Sequence, residues 1–114
     1  MLQEWLATLW SGTEFRQQRQ RVFRYFDCTW QSAWGQERSR VSSLSPRGCF
    51  IEERFSVPDK GEVVRDLTVV LPTGTINVQG TVTDATRGIG FGVRFGDVDA
   101  DTRNRLTALV ESLR

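Results

Sequence analysis

The sequence predicts an all-β domain with flanking helices, an antiparallel barrel or sandwich of six or so short strands. Three observations carry that expectation. Segments rich in β-branched and aromatic residues follow one another at short intervals. Turn signals separate them, among them Trp34-Gly35, Pro46-Arg47-Gly48, Pro58-Asp59-Lys60-Gly61 and Pro72-Thr73-Gly74. Within several segments apolar and polar residues alternate, the period of a strand with one buried face. The 114 residues suffice for one core and not two, and 39% apolar with 25% charged residues is the composition of a globular protein.

The chain opens differently. Leu2, Trp5, Leu6, Leu9 and Trp10 are spaced by three and four, which predicts a short amphipathic helix ending near Ser11-Gly12. Such a helix is marginal alone and needs a surface, either the domain itself or a partner. Residues 1–15 are read as this helix and its linker, and 16–114 as the domain. Residues 13–20 are polar and read as a loop.

Val22–Trp30 reads as the first strand and Glu37–Ser42 as the second. The stretch Ser43-Leu44-Ser45-Pro46-Arg47-Gly48 reads as a turn into a third strand, Cys49–Glu53. In Val63–Leu71 the residues Val63, Leu67, Val69 and Leu71 are expected on one face. Thr75–Thr83 alternates most clearly, with Ile76, Val78 and Val82 facing inward. Ile89, Phe91, Val93 and Phe95 repeat the pattern. Asp99 or Asp101 then caps a closing helix whose Leu106, Leu109, Val110 and Leu113 form one stripe.

The inventory of reactive groups is short. There is no histidine, and Cys28 and Cys49 lack metal-ligand spacing, so a zinc site and histidine-based acid–base or nucleophilic catalysis are excluded. Both cysteines lie within strands and read as free, buried thiols. Gly88, Gly90 and Gly92 spell GxGxG, but a strand follows them where a dinucleotide fold needs a helix; close packing of another element explains them better. Asp97, Asp99 and Asp101 lack the rest of a calcium loop. An enzyme is not expected. No apolar run is long enough to span a bilayer and no export signal is present, which predicts a cytoplasmic protein.

Charge is the remaining signal. The net charge is only +1, yet 14 of the 15 basic residues are arginines. Arg16, Arg19, Arg21 and Arg24 crowd an acid-free stretch, and Arg38, Arg40 and Arg47 surround the turn at 43–48. Arginine forks suit phosphates and stack on flat rings. If the loop before strand one and the turn after strand two share one end of a barrel, they form a receptor for a phosphate-containing, base-bearing ligand.

The segments "RVFRYFDCTW", "SRVSSLSPRGCFIEE", "TINVQGTVTDA" and "GIGFGVRF", with the closing helix, resemble a PilZ domain over roughly residues 16–114. The resemblance implies a six-stranded antiparallel β-barrel with a C-terminal helix. It also implies a non-enzymatic bacterial signalling role in which cyclic di-GMP binds and the N-terminal loop closes over the barrel, changing contacts with a neighbouring domain or protein. The family signatures are RxxxR before strand one and (D/N)xSxxG between strands two and three. Ser45 and Gly48 match the second, with Ser43 where Asp or Asn is expected. Arg21 matches the second arginine of the first; Gln17 stands at the other position, with Arg16 and Arg19 nearby to substitute. The implied ligand-binding residues are therefore Arg16, Arg19, Arg21, Ser43, Ser45 and Gly48, with Arg38, Arg40 and Arg47 as secondary candidates and no metal.

Two other readings stand beside this one. A PilZ domain with altered signatures can act as a protein–protein adaptor without nucleotide, for example in pilus or flagellar control. A small basic-aromatic barrel can bind single-stranded nucleic acid, although near-neutral charge and aromatics directed at the core argue against it.

Overall fold

The computed structural model describes residues 21–113. Six strands form a closed antiparallel barrel: β1 Phe26–Ser32, β2 Gly35–Ser45, β3 Gly48–Glu52, β4 Val63–Leu71, β5 Gly74–Thr86 and β6 Gly90–Phe95. Around the barrel the order is β1-β2-β3-β6-β5-β4, and β4 returns to pair with β1. Closure settles the choice between barrel and sandwich and leaves no unpaired edge. A helix, α1 Ala100–Leu113, follows β6. The expected helix at 2–10, with the linker to residue 15, lies outside the described residues.

The alternating residues face inward as expected. Val41, Leu44, Ile51, Leu67, Val69, Phe91 and Val93 are fully enclosed, and Trp30 meets Phe91 edge-on with ring centroids 5.0 Å apart. Leu106, Leu109 and Val110 of α1 join the same core. Asp99 is the helix cap, its carboxylate accepting the Thr102 N–H at 2.7 Å. Because the strands are antiparallel, α1 begins at the barrel end that also holds the β2–β3 and β4–β5 turns. The β1–β2 turn and the long β3–β4 loop lie at the opposite end.

Four expectations need correction. The first strand begins at Phe26, and Val22 instead forms a lone bridge with Leu44, both backbone bonds at 2.9 Å. The second strand continues to Ser45, so the turn shrinks to Pro46-Arg47; pairing with β3 overrides the weak strand propensity of serine. In β4 a bulge between Val64 and Leu67, with Asp66 at φ 50°, shifts the alternation: Val64 is buried and Val63 is half exposed. Ile89 belongs to the turn before β6 and is half exposed. Of the GxGxG run, Gly90 and Gly92 serve packing, whereas Gly88 stands in open space in the turn before β6 with φ 79°. A Cβ at Gly90, where φ is 153°, would collide with the Ile51 carbonyl and sit 2.9 Å from the Phe50 ring.

Candidate functional site

Strand β2 carries the candidate site because of one extra residue. Val41 pairs with Ile51 and Ser43 with Phe50, so Ser42 is the additional residue of a β-bulge. Before the bulge the odd-numbered residues of β2 face inward, as Val41 does. After it Leu44 faces inward, and Ser43 and Ser45 are turned to the outer face. Gly48, Phe50 and Arg94 share that outer face, since Cys49 and Val93 point into the core. The face is nevertheless shielded: Ser43 and Ser45 are each 1% exposed and Phe50 2%.

The Val22–Leu44 bridge lays the incoming chain along the end of β2. Val22 turns into the core, so Arg21 emerges on the outer side, where its Nη1 donates to Ser43 Oγ at 2.6 Å. The loop before strand one and the end of strand two therefore meet. Burial pulls the Arg21 guanidinium down to about 10, with the neighbouring Cys49 acting in the opposite direction. It remains a cation at neutral pH. Burial pushes the Cys28 thiol up to about 12 and Cys49 well above its ordinary value. Both thiols are free and protonated, which removes them as nucleophiles.

Ser45 has a local task. Its hydroxyl donates to the Gly48 carbonyl at 3.3 Å and accepts the Arg47 N–H at 3.3 Å, which closes the two-residue hairpin. Arg47 projects from that turn and is exposed. Arg40 lies on the outer face, paired with Glu52 at 3.3 Å and stacked over Tyr25 at 4.3 Å. Arg38 is exposed one pleat further from the turn. Arg38 and Arg40 thus border a different groove, shared with Glu52, Glu53 and Arg54. Arg16 and Arg19 lie outside the described residues.

Sequence reasoning missed two arginines. Arg94 of β6 pairs with Gly48, and Arg103 of α1 lines a groove with Arg47 and Arg94. The only sequence signal was the single charged position inside "GVRF". Among the described residues no group of three His, Cys, Asp or Glu side chains is placed to hold a metal ion, and no described helix is long and apolar enough to cross a membrane.

The model of the PilZ domain family matches residues 15–112. The fold resembles the PilZ domain of YcgR from Escherichia coli, solved with c-di-GMP. The TM-score is 0.67 at 16% identity, over 82% of this chain and 87% of that one. It also resembles MrkH of K. pneumonia in complex with c-di-GMP, with a TM-score of 0.68 and 14% identity over 82% of this chain and 50% of that one. The Bacillus subtilis inhibitor of motility, MotI/DgrA, gives 0.64 and 15% identity over 81% and 48%. The chain thus spans about half the length of the last two proteins. No curated protein matches it in sequence.

Proposed function

The chain belongs to the PilZ domain family, and we propose that it is a non-enzymatic cyclic di-GMP receptor that holds the nucleotide between its N-terminal arginine loop and the β2–β3 hairpin. The observation that carries this reading is the 2.6 Å contact between Arg21 and Ser43, which joins the two signature segments at one place on the outer face. Solved relatives of the same fold, YcgR and MrkH, were crystallised or determined with c-di-GMP. In this reading Arg21 supplies a fixed positive charge to a phosphate, and Arg16 and Arg19 close over the ligand from the loop. Ser43 contributes one hydrogen bond, and Gly48 lets the ligand approach the backbone. Loop closure then changes the surface offered to a protein partner or neighbouring domain, in the cytoplasm.

A protein adaptor without nucleotide is the second reading, and one observation favours it. Trp34 and Phe55 are 88% and 91% exposed and flank a 240 Å³ groove at the barrel end remote from the hairpin. Calorimetry with cyclic di-GMP separates the two. The receptor binds at micromolar concentration or tighter, Arg21→Ala weakens binding by about tenfold or more, and Ser43→Asn strengthens it. Absence of heat from the unaltered chain at millimolar nucleotide would sink the receptor reading and leave the adaptor.

A further inference from the structure

The barrel end remote from the β2–β3 hairpin carries an apolar surface that the core does not use. Trp34 stands in the β1–β2 turn and Phe55 in the β3–β4 loop, and both rings are almost wholly exposed. They flank a groove of 240 Å³ whose apolar walls include Trp30, Val57, Pro58 and Val63. Asp59 and Glu62 are the charged residues of its described lining, which holds no arginine or lysine. Arg54, although next to Phe55 in sequence, borders the separate groove of Arg38 and Arg40. Two large aromatic side chains beside an acidic rim mark a surface for a partner.

The backbone beneath these groups is fixed. The Trp34 N–H donates to Ser32 Oγ at 3.0 Å. The Phe55 N–H donates to the Glu53 carboxylate at 3.0 Å, which also accepts the Ser39 hydroxyl at 2.6 Å. The Trp30 indole N–H donates in turn to Ser39 Oγ at 3.0 Å, so the loop bearing Phe55 is tied to the core. The acidic segment is tied to β5: the Gly61 N–H donates to the Val82 carbonyl and the Val82 N–H to the Glu62 carbonyl, both at 2.8 Å. Ordered backbone under all four groups lowers the cost of gathering them around a partner.

We propose that this groove docks a segment of a separate protein that carries an arginine or lysine beside an apolar side chain. The apolar side chain enters between Trp34 and Phe55. The cation stacks on the Trp34 face and is met by Asp59 and Glu62. Charge complementarity selects this partner over an acidic one. A second copy of this chain is the poorer occupant. Its Arg47 and Arg103 gather at the opposite barrel end, so copies would join end to end in a contact that does not close and grows into filaments. The inference rests on the protein-binding reading of this end and needs no nucleotide, since Arg21 and Ser43 meet at the other end.

The test is an NMR titration of the full chain that follows the Trp34 indole N–H and the backbone amides of Phe55 and Glu62. Two unlabelled synthetic peptides are added separately, LRFLRL and its charge-reversed counterpart LEFLEL. LRFLRL should move all three signals, and LEFLEL should leave them in place. Trp34→Ala should weaken LRFLRL binding by about tenfold or more, and Asp59→Asn/Glu62→Gln by about threefold to tenfold. All three positions are exposed, so the melting temperature should not change. Equal binding of both peptides at Trp34, or LRFLRL binding that high salt leaves unchanged, overturns the proposed partner and leaves a protein-binding surface. No response at Trp34 to either peptide at millimolar concentration overturns the proposal and the protein-binding reading together. Self-association abolished by Trp34→Ala would make a second copy the occupant, and tighter binding by a peptide of residues 1–20 would make it the chain's own N-terminal segment; either overturns the proposal.

Discussion

Strand β2 begins and ends in four-residue SxxG hairpins closed by the same serine contacts, and the two differ in the conformation of their glycine and in what surrounds them. Ser32-Ala33-Trp34-Gly35 joins β1 to β2, and Ser45-Pro46-Arg47-Gly48 joins β2 to β3. In the first, the Ser32 hydroxyl donates to the Gly35 carbonyl at 2.9 Å and accepts the Trp34 N–H at 3.0 Å. In the second, Ser45 makes the equivalent pair of contacts with Gly48 and Arg47, each at 3.3 Å. The SxxG pattern is therefore a hairpin device wherever it occurs. Half of the family's second signature is explained by backbone geometry before any ligand is considered.

The bulge at Ser42 makes the copies different. It turns Ser45, Gly48 and Ser43 outward, whereas the residue two before Ser32 is Trp30, which fills the core. Around the second turn stand Arg21 and the three arginines of the groove. Around the first, the Glu37 carboxylate lies 3.0 Å from the Ser32 hydroxyl as an alternative acceptor for its one proton, and the exposed Trp34 and Phe55 lie beside it. Turns closed by the same serine contacts thus serve an arginine-rich site at one barrel end and an aromatic, acid-bordered surface at the other.

The largest expected effect separates these surroundings. Ser43→Ala removes the Ser43 acceptor from a buried guanidinium and should cost about 1.5–3 kcal/mol in urea unfolding. Glu37→Ala removes the corresponding contact at the first turn, which is partly exposed, and should stay within about 0.5 kcal/mol. Equal losses would erase the distinction between the two ends. A smaller effect separates the glycines. Gly35 has φ 129°, and Gly48 has no positive φ. Gly35→Ala should therefore lower stability by about 1–2 kcal/mol through backbone strain alone; a melting temperature within a degree of the unaltered chain would contradict this. The hydroxyls should show no such difference. Ser32→Ala and Ser45→Ala should each cost about 1 kcal/mol, and a gap of more than about twofold between them would mean that the two turns are not equivalent.

The strands were legible in the sequence because alternation is local: Ile76, Val78 and Val82 announce their face within seven residues. Bulges were not, because the extra residue at Ser42 and the left-handed Asp66 depend on the partner strand's register. Closure was legible only through the family resemblance, since pairing of β4 with β1 is a long-range contact with no local mark. Arg21, Ser43, Ser45 and Gly48 could be named from the family resemblance, and the structure brings Arg21 to Ser43. It also gives Ser45 a turn-closing task that spacing alone did not reveal. The groove escaped notice because positions 47, 94 and 103 converge only after folding, each looking like an ordinary surface arginine in its own segment.

Acid should act on one end of the barrel more than the other. Glu53 lies where β3 leaves the barrel, at the end that carries the Ser32 turn. Burial pushes its carboxyl up, but the Ser39 hydroxyl at 2.6 Å and the backbone N–H groups of Phe55 at 3.0 Å and Ser56 at 3.2 Å outweigh that and hold it below its ordinary value. A carboxylate with a depressed folded value contributes stability that is present above the unfolded value, about 4.3. That contribution is lost as pH falls through the folded value. The loop bearing Phe55 faces the turn bearing Trp34 across one groove. Amide exchange around Phe55, Ser56 and Trp34 should therefore accelerate between pH 5 and pH 3 by more than exchange around Arg47 and Gly48, after correction for intrinsic rates. Glu53→Gln should remove most of that difference. Parallel acceleration at both turns in the unaltered chain would show that acid loosens the barrel as a whole, and that Glu53 does not distinguish its ends.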